Sequence, residues 1–382
     1  MADEEARRKL EKPVAGHAEA TSLALELFGH TIEPGSIKEL DSYDDRNFYY
    51  RRAASEGGGE FILKVHNGVE SVKPAFIEAQ NEAMACAQGV PGLWCPSPCL
   101  SVSGKPIEFA PLKLLDGSPR DHAVRCLPFK PARLLADVAP TAALLEELGA
   151  CAAKLDVALA GFSHPAVMRE HMWDLRSTAQ LQGLLPHLEP AQVGVVQGVL
   201  DEFGASVLPS AAQLPSGAIH SDINDQNVLV DAAGGAIVGI IDFGDLVHSW
   251  QLNELAVCAA YVLIYLSYDK WRQTPGTEAA AATAASSPME PLLALRSVCR
   301  AYHAERPLSD AEWAALPTLI SCRLAMSLTI GSFSAAQDPE NEYLRLTLVP
   351  GWRALQMMRA TPAAEWEALL RVDQAGAPAA GQ

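Results

Sequence analysis

The residues of this chain best placed to do chemistry together lie between Ile219 and Asp245, IHSDINDQNVLVDAAGGAIVGIIDFGD. His220, Asp222 and Asn227 fall in the order H-x-D-x-x-x-x-N, and fifteen residues after the Asn an apolar run delivers Asp242-Phe243-Gly244. Three oxygen-bearing side chains in that order suit phosphoryl transfer from a nucleotide, where catalysis is chiefly positioning and neutralisation of charge. Asp222 would orient the acceptor hydroxyl or take its proton. Asn227 and Asp242 would offer a carbonyl and a carboxylate to Mg²⁺, a hard cation that prefers oxygen ligands. His220 is expected to hold the loop through backbone contacts rather than to act as a base. One such acid alone would be read as a solvated loop residue, but the ordered set gains weight from the strand signals around it.

Those signals are the short β-branched runs Val228 to Val230 and Ile237 to Ile241, separated by Asp231-Ala-Ala-Gly-Gly235. They predict a hairpin that brings Asn227 and Asp242 together. Upstream, Ile37 to Leu40, Phe48 to Arg52 and Phe61 to His66 read as strands, with Ser42 to Asn47 as the first turn. A nucleotide must be covered by such a turn. This one has no G-x-G-x-x-G, so Ser42 and Asn47 are the residues expected to meet the donor. Lys64 stands at the centre of FILKVH, where strand alternation puts Ile62, Lys64 and His66 on one face and Phe61, Leu63 and Val65 on the other. A lysine flanked by apolar strand residues is expected to contact phosphates, held by a Glu on the next helix. Residues 75 to 88 supply Glu78 and Glu82 on one helical face, and Glu78 is preferred. After Ala123 to Pro128 strand character stops. The backbone about Leu127 is the expected meeting place for the nucleotide base.

The second half is helical. Residues 141 to 159 place Leu144, Leu145, Leu148, Ala152 and Leu155 on one stripe. Further helices are expected over 193 to 203, 250 to 268, 292 to 306, 310 to 332 and 341 to 358. Residues 274 to 291, rich in Ala, Ser and Thr, read as a surface insertion, and residues 373 to 382 as a disordered tail. The expected architecture is α+β and two-lobed: a β-rich nucleotide-binding lobe over 1 to 127 and a mainly helical catalytic and acceptor-binding lobe over 128 to 372.

With 46 Asp plus Glu against 29 Lys plus Arg, the net charge is −17, which disfavours nucleic acid and anionic membrane surfaces as partners and suits a small cationic substrate. The fourteen apolar residues from Leu255 to Tyr268 are too few to span a bilayer. The eight cysteines include no C-x-x-C pair, and free thiols in a reducing, cytoplasmic setting are expected. The charged first residues carry no apolar h-region, so no secretory signal is expected.

The combination of HSDINDQN, IIDFGD, FILKV and SYDDRNFY resembles the aminoglycoside phosphotransferase and choline kinase superfamily, and within it the hydroxylysine kinases, over about residues 18 to 360. The resemblance implies a protein-kinase-like fold. By position it implies Asp222 as base, Asn227 and Asp242 as metal ligands, Lys64 as the phosphate-contacting lysine and Glu78 as its partner. It implies the hydroxyl of 5-hydroxy-L-lysine as acceptor, with GTP as donor; the residues themselves leave GTP and ATP open. Asp225, Asp245 and Glu254 are expected to help Asp222 receive the acceptor's ammonium groups, and Arg323 its carboxylate. Glu254 also has a second reading, as an acid stabilised by a helix N-terminus. Competing readings are a kinase of another amino alcohol (an aminoglycoside, choline or homoserine) and a pseudokinase that binds without turnover. A protein kinase is disfavoured because no A-P-E-like anchor follows Asp242.

Overall fold

The computed structural model describes residues 2 to 268 and 290 to 371. The tail at 373 to 382 and all but the last two residues of the insertion at 274 to 291 lie outside the described residues. The first lobe is built on a five-stranded antiparallel sheet of spatial order β1-β2-β3-β5-β4. Its strands are β1 (Lys38–Leu40), β2 (Arg46–Arg51), β3 (Glu60–Val65), β4 (Glu108–Lys113) and β5 (Pro119–Pro128). Alternation along β3 works as the sequence requires. Leu63 and Val65 join Phe48, Tyr50, Val124 and Cys126 in a dry layer beneath helix α2 (His17–Phe28), whose Ala20, Leu23, Ala24 and Phe28 complete it. Gly29 closes α2 in the left-handed conformation at φ 65°, the backbone state glycine adopts at little cost.

Three further helices belong to this lobe: α1 (Ala2–Leu10), α3 (Gly68–Ser71) and α4 (Pro74–Ala87). Helical spacing over residues 75 to 88 predicts α4, whereas α1 carries no such pattern. Its signal is a charge pattern rather than an apolar stripe, with Asp3, Glu4 and Glu5 in the first turn and Arg7, Arg8 and Lys9 in the last. That order complements the helix dipole at both ends.

The second lobe contains α5 (Ala142–Leu159), α6 (Pro190–Glu202), α7 (Leu252–Leu266), α8 (Pro291–Glu305), α9 (Asp310–Gln337), α10 (Leu348–Arg359) and α11 (Ala363–Arg371). Thr141 caps α5 by accepting from the Leu144 N–H, and Ser309 with Glu312 forms a capping box at the start of α9. Beyond Asn253 and Glu254 in its first turn, helix α7 is apolar nearly all round, as a helix surrounded by protein must be. The apolar window of α9 is 94% buried inside the fold. Two small sheets lie between the helices and the first lobe. One has the order β6-β8-β9, from β6 (Arg133–Leu134), β8 (Val228–Val230) and β9 (Ile237–Ile240); the other pairs β7 (Ser216–Ile219) with β10 (Val247–Trp250). The hairpin at 228 to 241 was legible, whereas β7 and β10 were not. The chain therefore forms a strand between Asp245 and α7 instead of running straight into the helix. The architecture is α+β and two-lobed, as expected.

Candidate active site

Pairing registers bring the two halves of the motif together. Val228 faces Ile240 across the β8-β9 hairpin, and the Ile241 N–H donates to the Asn227 carbonyl at 2.9 Å. Asn227 and Asp242 thus leave the hairpin side by side. The β7-β10 pair sets Ile219 opposite Val247, which places the loop after β7 beside the Asp242–Asp245 segment. His220 locks that arrangement. Its Nε2 donates to the Ile241 carbonyl at 3.1 Å, and its Nδ1 accepts from the Asp222 N–H at 3.2 Å. The bond accepted at Nδ1 requires the neutral ring, and burial keeps its pKa below the ordinary value.

Ser221 and Asp242 adopt left-handed backbone at φ 68° and 60°. Such strain in residues other than glycine persists where the surroundings over-determine it. Beneath Ser221 the determinant is Glu254, fully buried in the first turn of α7, whose carboxylate accepts the Ser221 N–H at 3.1 and 3.2 Å. Burial raises the Glu254 pKa to about 7, against the pull of the N–H groups of Ser221 and His220. Glu254 is therefore a buttress of the catalytic loop, not a wall of the acceptor pocket. It takes the loop's amide groups because it lies behind them.

Asp222 is fixed from three directions. Arg323 Nη2 donates to Oδ1 at 2.9 Å, while Asn224 Nδ2 and Asn227 Nδ2 donate to Oδ2 at 2.9 and 2.7 Å. Burial raises its pKa well above the carboxylate range, and nearby Asp245 pushes the same way, opposed by Arg323. Asn227 also donates to the Asp222 carbonyl at 3.0 Å. With its amide nitrogen so engaged, its carbonyl oxygen is the end left to meet a cation. Asp242 has a side chain 44% exposed at the mouth of the site. A carbonyl and an accessible carboxylate are the oxygen donors that Mg²⁺ or Ca²⁺ takes, so the residues fit a divalent ion.

Lys64 reaches this centre from β3. Its Nζ lies 3.3 Å from Asp242 Oδ1 and 3.0 Å from Asp45 Oδ2. Burial would lower its pKa, but Asp242 and Asp45 outweigh it and the net shift is upward. The partner expected for Lys64 was Glu78, and this is corrected. Glu78 and Glu82 lie on the exposed face of α4. Its inner face carries Gln80, whose Oε1 accepts from Arg125 on β5, as does Oδ1 of the adjacent Asn81. Asp45, in the turn between β1 and β2, supplies the carboxylate instead.

That turn is tied down from both lobes. Arg8 of α1 bonds Asp44 at 2.9 Å and Glu70 at 3.3 Å, and the Asn67 N–H holds Asp45 Oδ1 at 2.8 Å. The Tyr43 hydroxyl bonds Glu5 of α1 at 2.7 Å and Ser334 of α9 at 2.5 Å. Asp45, His66 and Glu70 cluster closely enough to suggest a second metal site. Their atoms are already engaged by Lys64, Arg8 and Arg125 Nε, the last at 3.0 Å from His66 Nε2. The cluster is a charge-balanced network.

Of the remaining expected residues, Ser42 spends its hydroxyl on the Asp45 carbonyl at 2.5 Å. Asn47 faces Lys64 across the β2-β3 ladder, and Leu127 faces Ile62 near the end of β5. Asp225 is 3% exposed and accepts from the Tyr268 hydroxyl at 2.9 Å, so it is a buried structural acid and not part of an open acceptor surface. Arg323, expected to meet a substrate carboxylate, is 2% exposed and bound to Asp222 and the Trp173 carbonyl. Asp245 remains at the mouth, with its side chain 22% exposed and its Oδ1 3.0 Å from His171 Nε2. Burial would raise its pKa, but His171 and the nearby arginines hold it at about 2. Asp45, Arg8, Tyr43 and His171 were missed as site residues. Only the first and third stood in a quoted motif, SYDDRNFY.

The chain matches the sequence profile of the phosphotransferase enzyme family (APH) over residues 36–296. It is 29% identical over 368 residues to hydroxylysine kinase of Xenopus laevis, covering 91% of this chain and 90% of that one. To hydroxylysine kinase of Danio rerio it is 30% identical over 360 residues, covering 92% and 93%. Among solved structures, the amicoumacin kinase hAmiN in complex with AMP-PNP, Ca²⁺ and Ami shares the fold, with a TM-score of 0.62 at 19% identity and 96% of each chain covered. What the motif spacing and the converging side chains suggest, the relatives settle: this chain belongs to the phosphotransferase enzyme family, beside the hydroxylysine kinases, and is a small-molecule kinase with an alcohol group as acceptor.

Proposed function

We propose that the enzyme moves the γ-phosphoryl group of a nucleoside triphosphate to the side-chain hydroxyl of 5-hydroxy-L-lysine. The observation that carries this reading is the convergence of Lys64, Asp242 and Asn227 about Asp222, with the hydroxylysine kinases as relatives along nine-tenths of the chain. Asp222 receives the acceptor proton as the new O–P bond forms and the bridging bond from the γ-phosphorus to the β-phosphate oxygen breaks, leaving the nucleoside diphosphate. Lys64, released from Asp45, faces the donor phosphates. Asn227 and Asp242 would hold Mg²⁺, which when bound offsets the charge gathered on the phosphate oxygens.

The acceptor brings two ammonium groups to a protein of net charge −17. Asp245, kept ionised and open at the mouth, is the acid that suits one of them. GTP is the donor the family resemblance favours, with the backbone around Leu127 and Phe129 as its base-binding edge.

The test is nucleoside diphosphate release with GTP and ATP in turn, with Mg²⁺, from wild type and Asp222→Asn. Acceptor-dependent release is expected, falling by about two decades or more in the variant while donor affinity holds, as for a group acting in the transition state. A variant of undiminished turnover would reassign the base. Wild-type release with choline, homoserine or an aminoglycoside but not hydroxylysine would replace the acceptor.

A further inference from the structure

We propose that Arg323 is a positioning residue for phosphoryl transfer, acting through Asp222 and not by binding the acceptor. The inference rests on the reading of Asp222 as the group that receives the acceptor hydroxyl. An ionised carboxylate offers about four lone-pair positions. At Asp222, Oδ2 takes donors from Asn224 at 2.9 Å and Asn227 at 2.7 Å, which fill it. Oδ1 takes Arg323 Nη2 at 2.9 Å. The acceptor hydroxyl therefore meets Oδ1, on the lone pair Arg323 leaves open. Arg323 thus determines which way the working oxygen points.

Its own position is not adjustable. Nη1 donates to the Trp173 carbonyl at 3.1 Å, and the guanidinium lies 5.1 Å from the Trp173 ring centroid and 5.3 Å from that of Tyr261. The side chain leaves the middle of α9, buried over most of its length, and is 2% exposed. A guanidinium held by two rings, a carbonyl and a carboxylate is a fixed strut. It cannot swing out to a ligand without stripping Asp222 Oδ1 of its donor. Lysine, with a single ammonium, would keep the contact to Asp222 or to Trp173 but not the two-point geometry.

The experiment compares wild type, Arg323→Lys and Arg323→Met with 5-hydroxylysine and with its decarboxylated diamino alcohol. The inference expects kcat to fall about 10- to 100-fold in Arg323→Met with both acceptors, the scale of a misplaced catalytic group. It expects partial recovery in Arg323→Lys and KM values within about twofold of wild type. A raised KM for hydroxylysine alone, with the diamino alcohol unaffected, would make Arg323 the acceptor's carboxylate ligand and overturn the inference, as would unchanged kcat. Should Arg323→Met not fold, Arg323→Lys carries the comparison.

If wild type phosphorylates neither compound, the acceptor reading fails and Arg323 is tested by thermal unfolding in a double-mutant cycle. Arg323→Lys should then lower Tm less in an Asp222→Asn background than in wild type. Equal losses in the two backgrounds would refute the coupling.

Discussion

At the residue scale the site is a set of short-range bargains over a few oxygens, and Glu254 shows the cost of one. Its carboxylate is buried beneath the catalytic loop and its pKa stands at about 7, above the ordinary 4.5. Between those values the folded chain holds a proton that the unfolded chain has released. The stability this confers is complete below pH 4.5 and disappears as pH rises through 7, at up to about 1.4 kcal/mol per pH unit. Glu254→Gln keeps a carbonyl to accept the Ser221 N–H and removes the titration. Its unfolding free energy, measured by denaturant titration across pH 5 to 7, should fall less steeply than that of wild type. Asp156 and Asp222, both buried with raised pKa, and Asp44, raised by burial to about 6, contribute to the slope that remains. Equal slopes in the two proteins would show that Glu254 does not titrate in that range. His220, Asp222, Asn227 and Asp242 were legible because the motif is nearly contiguous in the chain. Arg323 was singled out for a substrate carboxylate, whereas the structure sets it against Asp222. Its partner Asp222 is 101 residues away, and only tertiary packing decides which acid an interior arginine meets. Lys64 stood out in the sequence as a lysine among apolar strand residues, yet its partner Asp45 lies nineteen residues before it on the opposing strand's turn, where helical spacing gives no clue.

At the scale of elements, periodic patterns revealed the large helices and the central strands, because apolar spacing reports the face each buries. Elements held by polar contacts left a weaker trace. The helix α1 has no apolar stripe to find, and its inward residues are Glu5, Arg8 and Lys9. Glu5 is fully buried with Ser334 of α9, whose hydroxyl donates to it at 2.5 Å, and Lys9 Nζ sits 3.8 Å from the centroid of the Tyr43 ring. The turn that lies over Lys64 is thereby pinned to both α1 and α9. Tyr43→Phe retains the ring and its edge contact with Trp173 while deleting the hydroxyl. The loss of a hydrogen bond to a buried carboxylate should cost about 1.5–3 kcal/mol. Hydrogen exchange should quicken at residues 41 to 45 and in α1 ahead of the rest of the lobe. Unchanged stability and exchange would mean that the hydroxyl contributes nothing to the pinning. The same reasoning explains why β7 and β10 escaped notice: each is four residues long, and their significance is the pairing that sets Ile219 opposite Val247.

At the scale of the whole molecule, the groups proposed to act in catalysis are split between lobes. Lys64 and Asp45 come from the sheet, and Asp222, Asn227, Asp242 and Asp245 from the small strands and loops of the helical lobe. The two sets meet in the Lys64–Asp242 ion pair at 3.3 Å. In the proposed reaction a donor's phosphates would enter between them, and Lys64 would exchange Asp45 for the nucleotide. The two-lobed plan was readable from the order of strands and helices, whereas the way α1 joins the lobes was not. In the proposed reaction the hydroxyl of an amino-acid side chain receives the phosphoryl group. Lysine and 5-hydroxylysine differ by that hydroxyl alone, so the decisive measurement is acceptor-dependent nucleoside diphosphate release with each, under saturating donor and Mg²⁺. Release is expected with 5-hydroxylysine, with phosphate recovered on its side-chain oxygen, and only the acceptor-free rate with lysine. Equal release with both would contradict that reaction.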